Sequence, residues 1–183
     1  VGNKIKGDSN IQNNGDGDII SSSFNNSPTT IINNWNLVEN ELSRTLIFDC
    51  LQIFNDSPIE ANASYSLIDP AGLFEKLEKN YALKYKEYAL VYSEDFNKIG
   101  EVIRDFNDSS SIVKKLIKVF VDGFDNENNG DENLKVLEKR VIKIIKSDER
   151  YEMQYDEKLE EFVISFILYG IYKCKILRNP NET

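Results

Sequence analysis

From Phe162 to Tyr172 the chain is apolar around its whole helical circumference, with only Ser165 and Gly170 interrupting Phe162-Val163-Ile164, Phe166-Ile167-Leu168-Tyr169 and Ile171-Tyr172. A helix of that kind has no face to offer to water, so the rest of the fold must be built around it. The run is far short of the roughly 20 residues that span a bilayer, and Glu160, Glu161, Lys173 and Lys175 close it on both sides. We therefore expect a buried central helix that starts near Asp156 and is ended by Asn179-Pro180.

The elements that would surround it are written in helical period. Val38, Leu42, Leu46, Cys50 and Ile53 form one stripe, stopped at Asn55-Asp56-Ser57-Pro58. Asp69-Pro70 supplies an N-cap and a first-turn proline for a second helix whose Leu73, Phe74, Leu77, Tyr81 and Tyr88 would face the core. Ser93 can cap a third, carrying Phe96, Ile99, Val102, Ile103 and Phe106. Asn107-Asp108-Ser109-Ser110 breaks it before the stripe Ile112, Val113, Leu116, Ile117, Phe120 and Phe124. An acidic loop, Asp122 to Asp131, precedes a helix with Leu134, Leu137, Val141, Ile144 and Ile145. The expectation is mainly α: a five- or six-helix bundle over residues 35–183, with antiparallel neighbours because the connections are short.

Residues 1–34 are of another kind, built of Gly, Asn, Asp and Ser with isolated isoleucines. Gly7-Asp8-Ser9-Asn10-Ile11-Gln12 and Gly15-Asp16-Gly17-Asp18-Ile19-Ile20 are two imperfect copies of a turn followed by a short strand, and Gly2-Asn3-Lys4-Ile5 resembles a truncated third. Glycine and asparagine supply the turn positions, and each β-branched residue can point inward on the pleat. One such unit buries too little to be stable alone and gains a dry interior by stacking on copies, most economically those of other subunits. The expected oligomerisation residues of this short β-repeat arm are Ile5, Gly7, Asn10, Ile11, Gly15, Gly17, Ile19 and Ile20, with Trp35 as its packing anchor at the junction with the bundle. The same composition also suits a polar linker.

Charge and residue inventory narrow the chemistry. With 31 acidic against 22 basic residues the net charge is −9, which repels phosphate backbones and anionic lipid at long range. The basic residues Lys114, Lys115, Lys118, Lys135, Lys139, Arg140, Lys143 and Lys146 are interleaved with apolar ones at helical spacing and read as solvated helix faces. The chain has no histidine, so Ser-His-Asp and Cys-His mechanisms are excluded. Phosphate-binding glycine loops of the common types are absent too. Asp125-Asn126-Glu127-Asn128-Asn129-Gly130 imitates the start of a calcium loop, but Val136 stands where a bidentate glutamate is required. Adjacent acids such as Glu160-Glu161 and Asp148-Glu149 splay apart on a helix and read as surface. Cys50 and Cys174 lie in apolar runs and read as buried thiols, which together with the lack of a signal sequence points to a cytoplasmic protein, one whose start at Val1 leaves room for missing leading residues. No cofactor, metal or enzymatic activity is expected, nor a direct nucleic-acid or membrane partner.

The arm Gly7-Asp8-Ser9-Asn10-Ile11-Gln12 is similar to N-terminal glycine/asparagine repeats of bacterial conflict proteins. The closing segment from Glu161-Phe162-Val163-Ile164-Ser165-Phe166-Ile167 through Lys173-Cys174-Lys175-Ile176-Leu177-Arg178-Asn179-Pro180 resembles the end of interface domains in ABC-three-component, Lamassu-like systems. That resemblance implies an accessory or assembly subunit, homo-oligomeric and working beside an ATPase or effector partner in antiphage defence. Two rivals remain open at this point: a membrane-acting effector whose bundle opens, and a small enzyme using carboxylate or tyrosine side chains.

Overall fold

Capping side chains open three of the helices in the structure, a computed structural model that describes residues 42–61, 65, 72–151, 156–174 and 176–179. The arm, its boundary at residue 34, Trp35 and the Asp69-Pro70 cap lie outside the described residues. The described residues hold seven helices: α1 Arg44–Asp56, α2 Leu73–Lys79, α3 Leu83–Val91, α4 Ser93–Ile103, α5 Ser109–Val121, α6 Gly130–Lys146 and α7 Asp156–Lys173. Ser43 opens α1 by accepting the Leu46 N–H on its hydroxyl at 3.2 Å, and Asp108 does the same for α5 through the Ser111 N–H at 3.1 Å. Asn129 and Glu132 form a reciprocal capping box at the start of α6, with bonds of 3.0 and 2.8 Å.

The fold is mainly helical, with α7 at its centre. Helices α2 to α6 all pack against α7. Phe54 of α1 meets Phe166 edge-on, with ring centroids 5.2 Å apart. Leu159, Phe162, Val163, Ile164, Phe166, Ile167, Leu168 and Ile171 are all buried, as the all-round apolar pattern requires. Each such side chain contributes roughly 1.5–3 kcal/mol of transfer free energy, so this helix is the largest single contributor to the core.

Seven helices replace the expected five or six because the second stripe breaks at Asn80-Tyr81-Ala82. Tyr81 adopts the left-handed region with φ 55°. Its N–H donates to the Glu78 carbonyl at 3.1 Å and the Ala82 N–H donates to the Leu77 carbonyl at 2.8 Å. These are the paired bonds of a Schellman termination, completed by the burial of both Ala82 and Leu77. The chain turns there, so Tyr81 and Phe74 are exposed rather than in the core, and Tyr85 takes the buried place instead.

Three further boundaries differ from expectation. Tyr92, not Ser93, occupies the cap position of α4, and no side chain closes it. Helix α5 ends at Val121, leaving Phe124 on the surface beside Phe120. Helix α7 stops at Lys173, before Asn179, and Lys76 of α2 closes its end: the buried ammonium donates to the carbonyls of Ile171 at 2.9 Å and Cys174 at 2.6 Å. A cation at that position satisfies exposed carbonyls and opposes the negative end of the helix dipole.

Candidate functional site

The residues expected to carry oligomerisation, Ile5, Gly7, Asn10, Ile11, Gly15, Gly17, Ile19 and Ile20, and the junction residue Trp35 lie outside the described residues. The helical unit from Leu42 onward offers four other places where polar chemistry or an open surface is concentrated.

The first is a polar seam around α7. Asp95 of α4, nearly fully buried, accepts the Leu42 N–H at 3.0 Å and so ties the start of the unit to α4. Its carboxyl also hydrogen-bonds to Glu161 of α7, whose other partner is Lys158 at 2.9 Å. Burial first, and the Asp95 carboxyl second, raise the Glu161 pKa against the lowering pull of Lys158. On the opposite flank, the Tyr85 hydroxyl donates to the buried Glu138 at 2.6 Å, and Lys135 bridges Glu138 and Glu160. Burial and the Glu138 carboxylate push the Tyr85 hydroxyl well above its ordinary pKa, so it stays a proton donor. Ser165 lies one turn from both Glu161 and Tyr169, and its buried hydroxyl has no hydrogen-bond partner among the described residues.

The second is the acidic loop before α6. Its oxygens work as turn and cap acceptors: Asp125 Oδ1 takes the Glu127 N–H at 2.9 Å, Asn129 caps α6, and the buried Asn133 side chain holds the Asp125 backbone through both its donor and its acceptor at 2.9 Å. Among the described residues no group of three or more Asp, Glu or Cys side chains is arranged to hold a metal ion.

A third feature is an apolar groove of about 420 Å³ between the end of α1 and the end of α6. Ile53, Pro58, Ile59 and Ile144 form its floor, with Lys143 and Asp148 at the rim. Lys115 fixes the α1 side by donating to the carbonyls of Asn55 and Ser57. Arg150 clamps Asp148 with two bonds of 2.8 and 2.9 Å and reaches Asp56 at 2.7 Å. These bonds hold the Asp148 pKa down to about 2. Ser57 and Ser147 also line the groove, while Cys50 is buried in the core with its thiol pushed up to about 12 by burial.

The fourth is the turn at Asn80. Its side-chain amide donates to the carbonyls of Lys76 and Arg178, both at 2.8 Å, and its Oδ1 accepts the Arg178 N–H at 3.1 Å. The Asn80 carbonyl accepts the Gly130 N–H at 2.8 Å. A Cβ at position 130 would collide with that same carbonyl, which is why the first residue of α6 is glycine. Arg178 in turn donates to Asn126 at 3.0 Å. Three separate segments are thus locked together beneath Tyr81, whose left-handed backbone costs a non-glycine residue roughly 1–2 kcal/mol.

The basic residues noted in the sequence do not form one free face. Lys118 pairs with Asp122, Lys135 with Glu138 and Glu160, and Lys146 with Asp156 at 2.7 Å. Among the described residues no helix is long and apolar enough to cross a membrane. Sequence reasoning missed Lys76, Asp95, Asn133 and Glu138, although each sits at a core position of its own helical stripe, where a polar residue must find a partner. Compared with protein-family models, curated proteins and solved structures, the chain matches none of them.

Proposed function

We propose that this chain is a non-enzymatic assembly component that multimerises through residues 1–34 and binds a partner protein through its helical unit. One observation carries the reading: the buried polar side chains Lys76, Asp95, Asn133 and Glu138 close on a helix end, on backbone groups or on Tyr85 instead of converging on a cavity. Polar groups used in this way rigidify a scaffold, and an apolar groove and an exposed turn then present its surface. The turn-strand copies of residues 1–34 supply the reason to assemble, since each isolated unit buries too little to offset about 1–2 kcal/mol of backbone entropy per residue. The resemblance of the arm and the closing segment to bacterial conflict proteins supports a cytoplasmic antiphage complex with an ATPase or effector as the partner.

Light scattering on the full chain and on the double substitution Ile11→Asp, Ile19→Asp tests this. Carboxylates placed in a stacked dry interior would be desolvated and opposed by identical charges, so the variant becomes monomeric while its helical signal is unchanged. An unchanged mass would count against the arm as the assembling element and favour the linker reading.

A further inference from the structure

The helical unit begins at Leu42, where a buried carboxyl group holds the chain. Asp95, in the first turn of α4 and only 5% exposed, accepts the Leu42 N–H on Oδ1 at 3.0 Å. The same carboxyl hydrogen-bonds to Glu161 of α7, and Lys158 donates to Glu161 Oε2 at 2.9 Å. Two carboxyl groups attract each other only when a proton lies between their oxygens, so this contact belongs to the state in which the pair carries one proton. The entry of the chain, α4 and α7 thus meet at one titratable pair.

Loss of that proton puts two like charges in contact at a place where Asp95 is shut off from water. Glu161, once ionised, is held by Lys158 on its own helix. The only other hydrogen bond to the Asp95 carboxyl among the described residues is the one from the Leu42 N–H. Relief therefore comes from Asp95, which turns toward water and lets Leu42 go. The groups around the pair do not offset the second charge. On α7, Glu160 adds negative charge and is bridged by Lys135; Tyr92 at the α3–α4 junction and Tyr88 of α3 bring hydroxyls rather than cations. The first charge of α1, Arg44, is paired with Asp105. We propose that Asp95 and Glu161 form a proton-operated joint, which grips the chain at Leu42 while one proton is shared and releases it when that proton is lost. Burial first, and the Asp95 carboxyl with it, raises the Glu161 pKa against the pull of Lys158. The closed joint is therefore complete below the ordinary glutamate value of 4.5 and is lost as pH rises through the raised folded value. All three groups belong to the helical unit, so the joint is independent of whether the chain assembles.

The test is amide hydrogen exchange of the full chain, resolved by residue with nuclear magnetic resonance between pH 4 and 8 and corrected for the intrinsic pH dependence of exchange. Protection of the Leu42 amide is expected to fall at least about threefold, relative to that of the core residue Ile167, as pH rises through this range. In Glu161→Gln the side-chain amide donates to Asp95 at every pH, so Leu42 stays protected and its pH dependence disappears. Asp95→Asn is a second variant with the same expectation, since its carbonyl still accepts the Leu42 N–H and its amide donates to ionised Glu161. A Leu42 amide whose relative protection is constant with pH in the parent, a pH dependence that survives in either amide variant, or Ile167 losing protection in step with Leu42 would each overturn the proposal.

Discussion

Gly170 sits where α7 is approached most closely, and substituting it measures how tightly the central helix is held. A Cβ built at this position would lie 2.6 Å from Leu116 Cδ2 and 2.9 Å from Ile176 Cδ1, and both of those side chains are buried. Gly170→Leu gains about 1 kcal/mol of helix propensity. Against this stands overpacking, typically 1–3 kcal/mol, and the upper end applies because the first carbon already collides and three more follow. The expected net loss is about 2 kcal/mol, or roughly 6 °C in melting temperature for a unit of this size. Urea and thermal unfolding followed by far-ultraviolet circular dichroism read it directly. A double-mutant cycle sharpens the result: Leu116→Ala alone costs about 2–5 kcal/mol, and combining it with Gly170→Ala, whose methyl occupies the vacated space, costs at least 1 kcal/mol less than the sum. Strict additivity, or a Gly170→Leu variant as stable as its parent, would refute the packing argument.

Other perturbations test the polar contacts. Lys76→Met preserves length but leaves the carbonyls of Ile171 and Cys174 without their ammonium donor, and is expected to lower unfolding stability in urea by about 3 kcal/mol. Ser165→Ala removes a buried hydroxyl that has no partner among the described residues, and thermal unfolding is expected to show a gain of about 1 kcal/mol. Stability should fall as pH rises above the ordinary glutamate value of 4.5, because Glu161 binds its proton more tightly in the folded state; the contribution is complete below that value and disappears through the raised folded pKa. Asp95, Lys158, Glu160 and Tyr92 are the neighbouring titratable groups. Glu161→Gln should flatten this slope when urea midpoints are measured between pH 5 and 8, and an unchanged slope would remove Glu161 as its source.

Much of the helical unit was legible in the sequence because apolar stripes and caps act locally. Phe162 to Tyr172 announced a central helix and Asn107-Asp108-Ser109-Ser110 the break before α5, whereas the caps at Asp108 and at Asn129 with Glu132 were not read from the sequence. The break at Tyr81 was not legible, since a tyrosine gives no sign that it will take a left-handed conformation; the adjacent Asn80 is held there by Gly130 and Arg178, which are distant in sequence. Lys76, Asp95 and Glu138 were legible only in part. Their stripe positions mark them as core, but these partners lie on other segments of the chain, and periodicity within one helix cannot identify those.

The central claim is that the chain assembles. The most direct measurement is the molar mass of the full chain by light scattering over a wide concentration range. The account predicts a defined multiple of the 21.1 kDa chain mass that persists on dilution. A mass of one chain at every concentration would contradict it.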